Sequence, residues 1–170
     1  MTYKIHTYGD PVLRKDAEPV TDFDRNIRGI VENMIETMYR DNGIGLAAPQ
    51  IGISNRIAVI DRSFGETVDD VIVLINPEIL ETEGECTLEE GCLSVPGVYE
   101  DVVRPEKILV RFQDIEGNVH ETDADGMLAR VVLHESDHLD GILFVDRLSA
   151  VKRRLLAKTL RSLKEEDENA

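Results

Sequence analysis

Residues 134–138 read His134-Glu135-Ser136-Asp137-His138, an H-E-x-x-H pattern whose chemistry works only on a helix. On an α-helix, positions i and i+4 lie one above the other on the same face. Both imidazoles can then grip one metal ion while the glutamate beside the first reaches the metal-bound water. The combination suits hydrolysis, because the ion lowers the pKa of water and the carboxylate takes the proton and later returns it. Two of the four histidines in the 170-residue chain sit in this stretch. A third ligand must come from elsewhere.

The metzincin arrangement would place a third histidine three residues past the glycine of Leu139-Asp140-Gly141, and that position holds Phe144. A thermolysin-like site needs a glutamate on a following helix, but Glu165 and Glu166 fall at the end of the chain, after a basic helix. The remaining soft ligand lies upstream. Cys92 stands in Glu89-Glu90-Gly91-Cys92-Leu93-Ser94-Val95-Pro96, where glycine permits close backbone approach. One thiolate, two imidazoles and one water make a four-coordinate site with an open position, the form taken by catalytic centres. A non-catalytic, metal-stabilised ribosome-binding module would need a fourth protein ligand, and no credible one is present.

The helix pattern extends over Asp125–Leu139, with Gly141 as its stop. A long N-terminal helix is expected over 24–41, where Ile27, Ile30, Val31, Met34, Ile35 and Met38 form one apolar stripe ahead of Asn42-Gly43. Asp10-Pro11 opens a short helical stretch to Ala17. Strands are expected at 56–61, 71–75, 109–114 and 119–122, the last two joined by a turn at Ile115-Glu116-Gly117-Asn118. An extended run at 86–95 should end at Pro96-Gly97. A C-terminal helix follows from about Ala150 to Lys164. The pattern predicts an α+β fold, with the H-E-x-x-H helix packed against largely antiparallel β-sheets. One catalytic domain over 1–164 is expected, followed by a disordered acidic tail at 165–170.

No apolar run approaches the roughly 20 residues of a membrane helix, and the first residues lack the character of a secretion or transit signal. A cytoplasmic protein with no membrane partner is expected. The formal charge of −15 argues against DNA binding. Charge is uneven, however: residues 151–164 hold Lys152, Arg153, Arg154, Lys158, Arg161 and Lys164 and no acid. Cys86 and Cys92 are expected as reduced thiols, Cys86 as a small packed side chain. His6 and His120 sit in strand-like runs without partners and read as structural or exposed.

Three segments resemble peptide deformylase: Gly43-Ile44-Gly45-Leu46-Ala47-Ala48-Pro49-Gln50, Glu90-Gly91-Cys92-Leu93-Ser94, and the 134–138 motif. The stretches Asp10–Arg14 and Gly141–Leu148 are similar to that family as well. The resemblance spans roughly residues 1–149, in order. It departs at Leu133, where the family commonly has glutamine, which leaves open the polarity behind the first ligand. The segment around Tyr99 varies widely in the family, so no contact there is carried over.

The resemblance implies a bacterial-type, co-translational activity that removes the formyl group from the formyl-methionine of nascent polypeptides and releases formate. Read from the residues, Cys92, His134 and His138 hold one divalent ion, with Glu135 as general base and acid. The Gln50 amide and the Leu93 backbone N–H serve as oxyanion donors. Ile44, Met127 and Val131 form an apolar methionine pocket, and the backbone of Gly43-Ile44-Gly45 pairs with substrate as an added strand. Glu90 and Gly91 line the same site, with Glu90 also expected to pair with Arg104. The ligand set suits zinc, cobalt, nickel or ferrous iron, and the resemblance implies Fe2+ in the cell, with Zn2+, Ni2+ or Co2+ able to substitute. It also implies ribosome contact through the basic helix at 151–164. The alternative activity is a zinc metallopeptidase built on the same helix.

Overall fold

The computed structural model describes residues 1–67 and 70–170. Its frame is a five-stranded antiparallel sheet. In chain order the strands are β1 (Gly45–Ala47), β2 (Ile57–Asp61), β3 (Val71–Glu83), β6 (Lys107–Gln113) and β7 (Val119–Asp125), which is also their spatial order. A separate hairpin pairs β4 (Cys86–Cys92) with β5 (Val95–Arg104).

Helix α1 (Arg25–Arg40) starts where the Asp24 side chain accepts from the Ile27 N–H. It buries Ile27, Val31, Met34 and Met38 along one stripe. Asn42, at φ 58°, takes the left-handed position that ends it. Helix α2 (Gly126–Leu139) follows β7 directly and carries the H-E-x-x-H motif. Gly141 closes it at φ 72°, and a Cβ there would meet the Arg14 carbonyl oxygen at 2.7 Å. Glycine is therefore required on both counts.

The period of two in β2 separates the two cores. Ile57 and Val59 join the α1 side with Met34 and Met38, whereas Ala58 and Ile60 join the α2 side with Ala129, Val131 and Val132. The sheet thus lies between the two helices, and α2 is pressed against a rigid antiparallel surface. A third core holds Val95, Val98 and Val102 of β5 against Leu143, Phe144 and Leu148, and it touches Cys92.

Four sequence expectations need correction. The extended run does not end at Pro96-Gly97: β5 starts at Val95 and continues to Arg104. Its pairing with β4 is irregular between Glu90↔Glu100 and Cys92↔Val95, and Gly97 at φ 78° lies in that bulge, a place where proline is tolerated. β3 runs to Glu83 rather than Ile75, because its second half pairs with β6. The Asp10–Ala17 helix is only a 3₁₀ turn at Pro11–Arg14.

The fourth concerns the acidic tail. Helix α3 (Ala150–Glu168) passes through Glu165, Glu166 and Asp167 as continuous helix. Its docking stripe of Leu156, Leu160 and Leu163 meets the third core. The Asn169 side chain bonds the Glu165 carbonyl at 2.8 Å, closing the last turn.

Candidate active site

The last residue of β4 and one face of α2 meet at a single point. One ligand atom from each of Cys92, His134 and His138 lies within 4.8 Å of the others, and Cys92 Sγ is 3.3 Å from His138 Nε2. Cys92 stands 42 positions before His134 and 46 before His138 in the sequence. They meet because the hairpin folds back over the helix that leaves β7.

His134 is held from behind, whereas the buried Nδ1 of His138 has no hydrogen-bond partner among the described residues. His134 Nδ1 lies 2.8 Å from Glu90 Oε1, which fixes the ring and leaves Nε2 to ligate. Glu90 in turn accepts from Arg104 Nε at 2.6 Å and Arg130 Nη1 at 2.5 Å. Arg104 also donates to Asp137 Oδ2 at 2.9 Å, and Asp137 takes a second guanidinium from Arg147 at 2.8 Å. Burial works to raise the Glu90 carboxyl, but hydrogen bonds from His134 and Arg104 hold it down at about 2. It is an anion at any working pH.

Glu135 is buried beside the ligands, and its Oε2 has no partner among the described residues. Burial pushes its carboxyl up to about 7, where a group that must take and return a proton works best. The Gln50 amide is oriented at its other end, since Oε1 accepts from the Ala47 N–H at 2.9 Å. Its Nε2 faces Ser94 Oγ at 3.1 Å and Cys92 Sγ at 3.5 Å. Leu93 follows Cys92 directly and lines the same space.

A cavity of about 420 Å³ opens here. Its lining includes every residue assigned to substrate from the sequence: Gly43, Ile44, Gly45, Glu90, Gly91, Met127 and Val131. Gly43-Ile44-Gly45 leads into β1, the edge strand of the five-stranded sheet. Two glycines have steric reasons. A Cβ on Gly45 would come within 2.6 Å of Glu135 Oε1, and one on Gly91 within 2.5 Å of the Tyr99 ring.

The polypeptide deformylase family matches residues 2–154. The chain belongs to that family. It is accordingly an enzyme. A peptide deformylase of Acidobacterium capsulatum is 53% identical over 163 residues, covering 96% of this chain and 96% of its own. The crystal structure of the peptide deformylase from Thermus thermophilus superposes at a TM-score of 0.91 with 45% identity, covering all of both chains. That of a Legionella pneumophila peptide deformylase gives 0.89 at 44% identity, over 100% of this chain and 99% of its own. The deformylase fold and the α+β reading from sequence agree.

A divalent ion suits the donors of this deformylase site. A thiolate and two imidazoles converge, one imidazole already oriented by a carboxylate, with an unpartnered buried carboxylate beside them. Phe144, where a metzincin would have its third histidine, is buried and stacks on His134 at 6.1 Å between ring centres. Glu165 and Glu166 lie on α3, outside the cluster. His6 and His120 are not partnerless, contrary to expectation: they pair with Asp10 at 2.6 Å and Asp114 at 2.7 Å.

Sequence reasoning missed Ser94, Arg130, Asp137 and Arg147. Arg130 did leave a signal: it is a charged residue inside the apolar run Met127–Leu133, and such a residue requires a buried partner.

Proposed function

We propose that this chain is a metal-dependent hydrolase that removes the formyl group from the N-terminal formyl-methionine of newly made polypeptides. The observation that carries the reading is the convergence of Cys92, His134 and His138 beside an unpartnered, buried Glu135 at the base of an apolar cavity. A divalent ion held by these three ligands would acidify a water and polarise the formyl oxygen. The ion is Fe2+ in the cell, with Zn2+, Ni2+ or Co2+ able to replace it.

The remaining chemistry belongs to the chain. Glu135 takes the proton of the attacking water and delivers it to the departing amine, so that formate and a free N-terminus result. Charge develops on the formyl oxygen, and the Gln50 amide and the Leu93 N–H receive it. A donor of this kind is worth about 3–4 kcal/mol in the transition state. Ile44, Met127 and Val131 take the methionine side chain, and the narrow space at Gly45 and Glu135 excludes acyl groups larger than formyl. Beyond the methionine, the edge position of β1 supports main-chain pairing with Gly43-Ile44-Gly45, which reads backbone and tolerates varied sequence.

The nascent chain is the substrate, and the ribosome is the partner proposed for α3. Arg153, Arg154, Lys158 and Arg161 are all exposed on it, a basic face on a protein of net charge −15. Among the described residues, no helix is long and apolar enough to cross a membrane.

Assay of formyl-Met-Ala with the cobalt or nickel form tests the reading. Formate should appear while the Met-Ala bond stays intact and acetyl-Met-Ala is left untouched. Cleavage of internal peptide bonds without formate would instead make the chain a metallopeptidase.

A further inference from the structure

We infer that Arg130 is a positioning residue for the metal, clamping the hairpin that carries Cys92 to the helix that carries His134 and His138. The inference rests on the metal-centre reading above. Among the described residues the hairpin β4–β5 shares no ladder with the five-stranded sheet, so backbone pairing with the sheet does not fix the distance between Cys92 and the two histidines. The Tyr8 N–H does bond the Ser94 carbonyl at 2.7 Å, but that ties the Cys92 end of the hairpin to the N-terminal segment and not to α2, so side chains supply the direct link to the metal helix. Arg130 lies one turn before His134 on α2 and is 4% exposed. Its Nη1 donates to the Val102 carbonyl at 2.9 Å and to Glu90 Oε2 at 2.5 Å, and its Nη2 donates to the Cys86 carbonyl at 2.7 Å.

One side chain on the metal helix therefore grips the backbone of both hairpin strands, together with the carboxylate that orients His134. Cys86 is where β4 begins and Cys92 is where it ends, so anchoring the first residue sets the line along which the thiolate arrives. Arg104 complements the clamp, bonding Glu90 within its own hairpin and Asp137 on the helix. The task selects arginine. A planar fork with five donors satisfies three acceptors in fixed directions, whereas an ammonium is a point charge on a flexible stem.

Metal binding separates this role from plain support of the fold. Metal-free wild type, Arg130→Met and Arg130→Lys are titrated with Co2+ against a competing chelator. Both total binding and the thiolate-to-cobalt charge-transfer absorption, which reports the bond to Cys92, are followed. Arg130→Met should bind cobalt roughly 10- to 100-fold more weakly, with a reduced thiolate band per bound ion. Arg130→Lys should keep the fold and the charge yet fail to restore either quantity.

Wild-type affinity and a full thiolate band in Arg130→Met, even with a lower melting temperature, would overturn the clamp. So would full restoration by lysine, which would make charge alone the cause. If Arg130→Met does not fold, the lysine variant decides by the same two readouts. Wild type that gives no thiolate band at all is a different result, because it removes the metal centre rather than the clamp.

Discussion

Gly45 and Glu135 stand so close that a single methyl group would separate them: a Cβ on Gly45 would lie 2.6 Å from Glu135 Oε1 and 3.0 Å from Val131 Cγ1. The edge strand that faces the cavity is therefore also the wall that holds the Glu135 carboxylate in place. Gly45→Ala must push Glu135 aside or move β1, which is held to β2 through Gly45↔Ile60. Misplacement by about 1 Å costs on the order of 100-fold in rate. The expected result is a drop of that order in kcat with metal content unchanged, measured by formate release and metal analysis. Undiminished kcat would mean that the carboxylate does not act from this position.

The motif helix, its glutamate and the approach of Cys92 to the two histidines could all be read from residues, because each depends on local spacing or on the scarcity of soft donors. Arg104 was accessible for the same reason, as a cation able to answer Glu90. What could not be read depends on how the hairpin crosses the helix. Strand β5 looked interrupted at Pro96-Gly97, and only its bulge opposite Gly91 explains how the chain continues. Once β5 was missing, Arg130 had no visible acceptors, since two of the three are backbone carbonyls at Cys86 and Val102. Helix α3 was cut short at Lys164 because the charge changes sign there, but its apolar stripe, not its charge, determines where it docks.

Glu90→Gln removes the anion that two guanidinium groups and one imidazole share. Breaking a buried charge network by deleting one partner typically costs about 3–5 kcal/mol, and losing the group behind a ligating histidine weakens metal binding about 10- to 100-fold. Urea unfolding of the metal-free protein should show the first loss and chelator competition the second. A variant as stable as wild type would mean that Arg104 and Arg130 find other partners.

Asp61 offers a test of acid sensitivity away from the ligands. It is fully buried at the end of β2. Burial works to raise its carboxyl, but bonds from the Ser63 hydroxyl, the Ser63 N–H and the Gly65 N–H bring it below the ordinary aspartate value. A depressed folded-state pKa contributes stability above the unfolded value of about 3.9 that is lost as pH falls below it. The stability gap between wild type and Asp61→Asn should therefore narrow from pH 7 to pH 3 in urea titrations. A gap that widened toward acid would contradict the assignment.

Replacing Arg153, Arg154, Lys158 and Arg161 with glutamine removes four of the five exposed basic residues of α3 and leaves Leu156, Leu160 and Leu163 in place. Ribosome cosedimentation at low salt should be abolished, and for the unaltered protein it should fall steeply as salt rises. Formate release from formyl-Met-Ala should be unchanged. Retained cosedimentation would reduce α3 to a structural helix.

The central claim is that Cys92, His134 and His138 hold the ion on which deformylation depends. Metal-free protein is titrated with Co2+ or Ni2+ while formate release from formyl-Met-Ala is measured, with Cys92→Ala carried alongside. The account predicts activity that rises in proportion to added metal, stops at one ion per chain, and stays at the metal-free baseline in the variant. Full activity without metal, or metal-restored activity in Cys92→Ala equal to that of wild type, would contradict it.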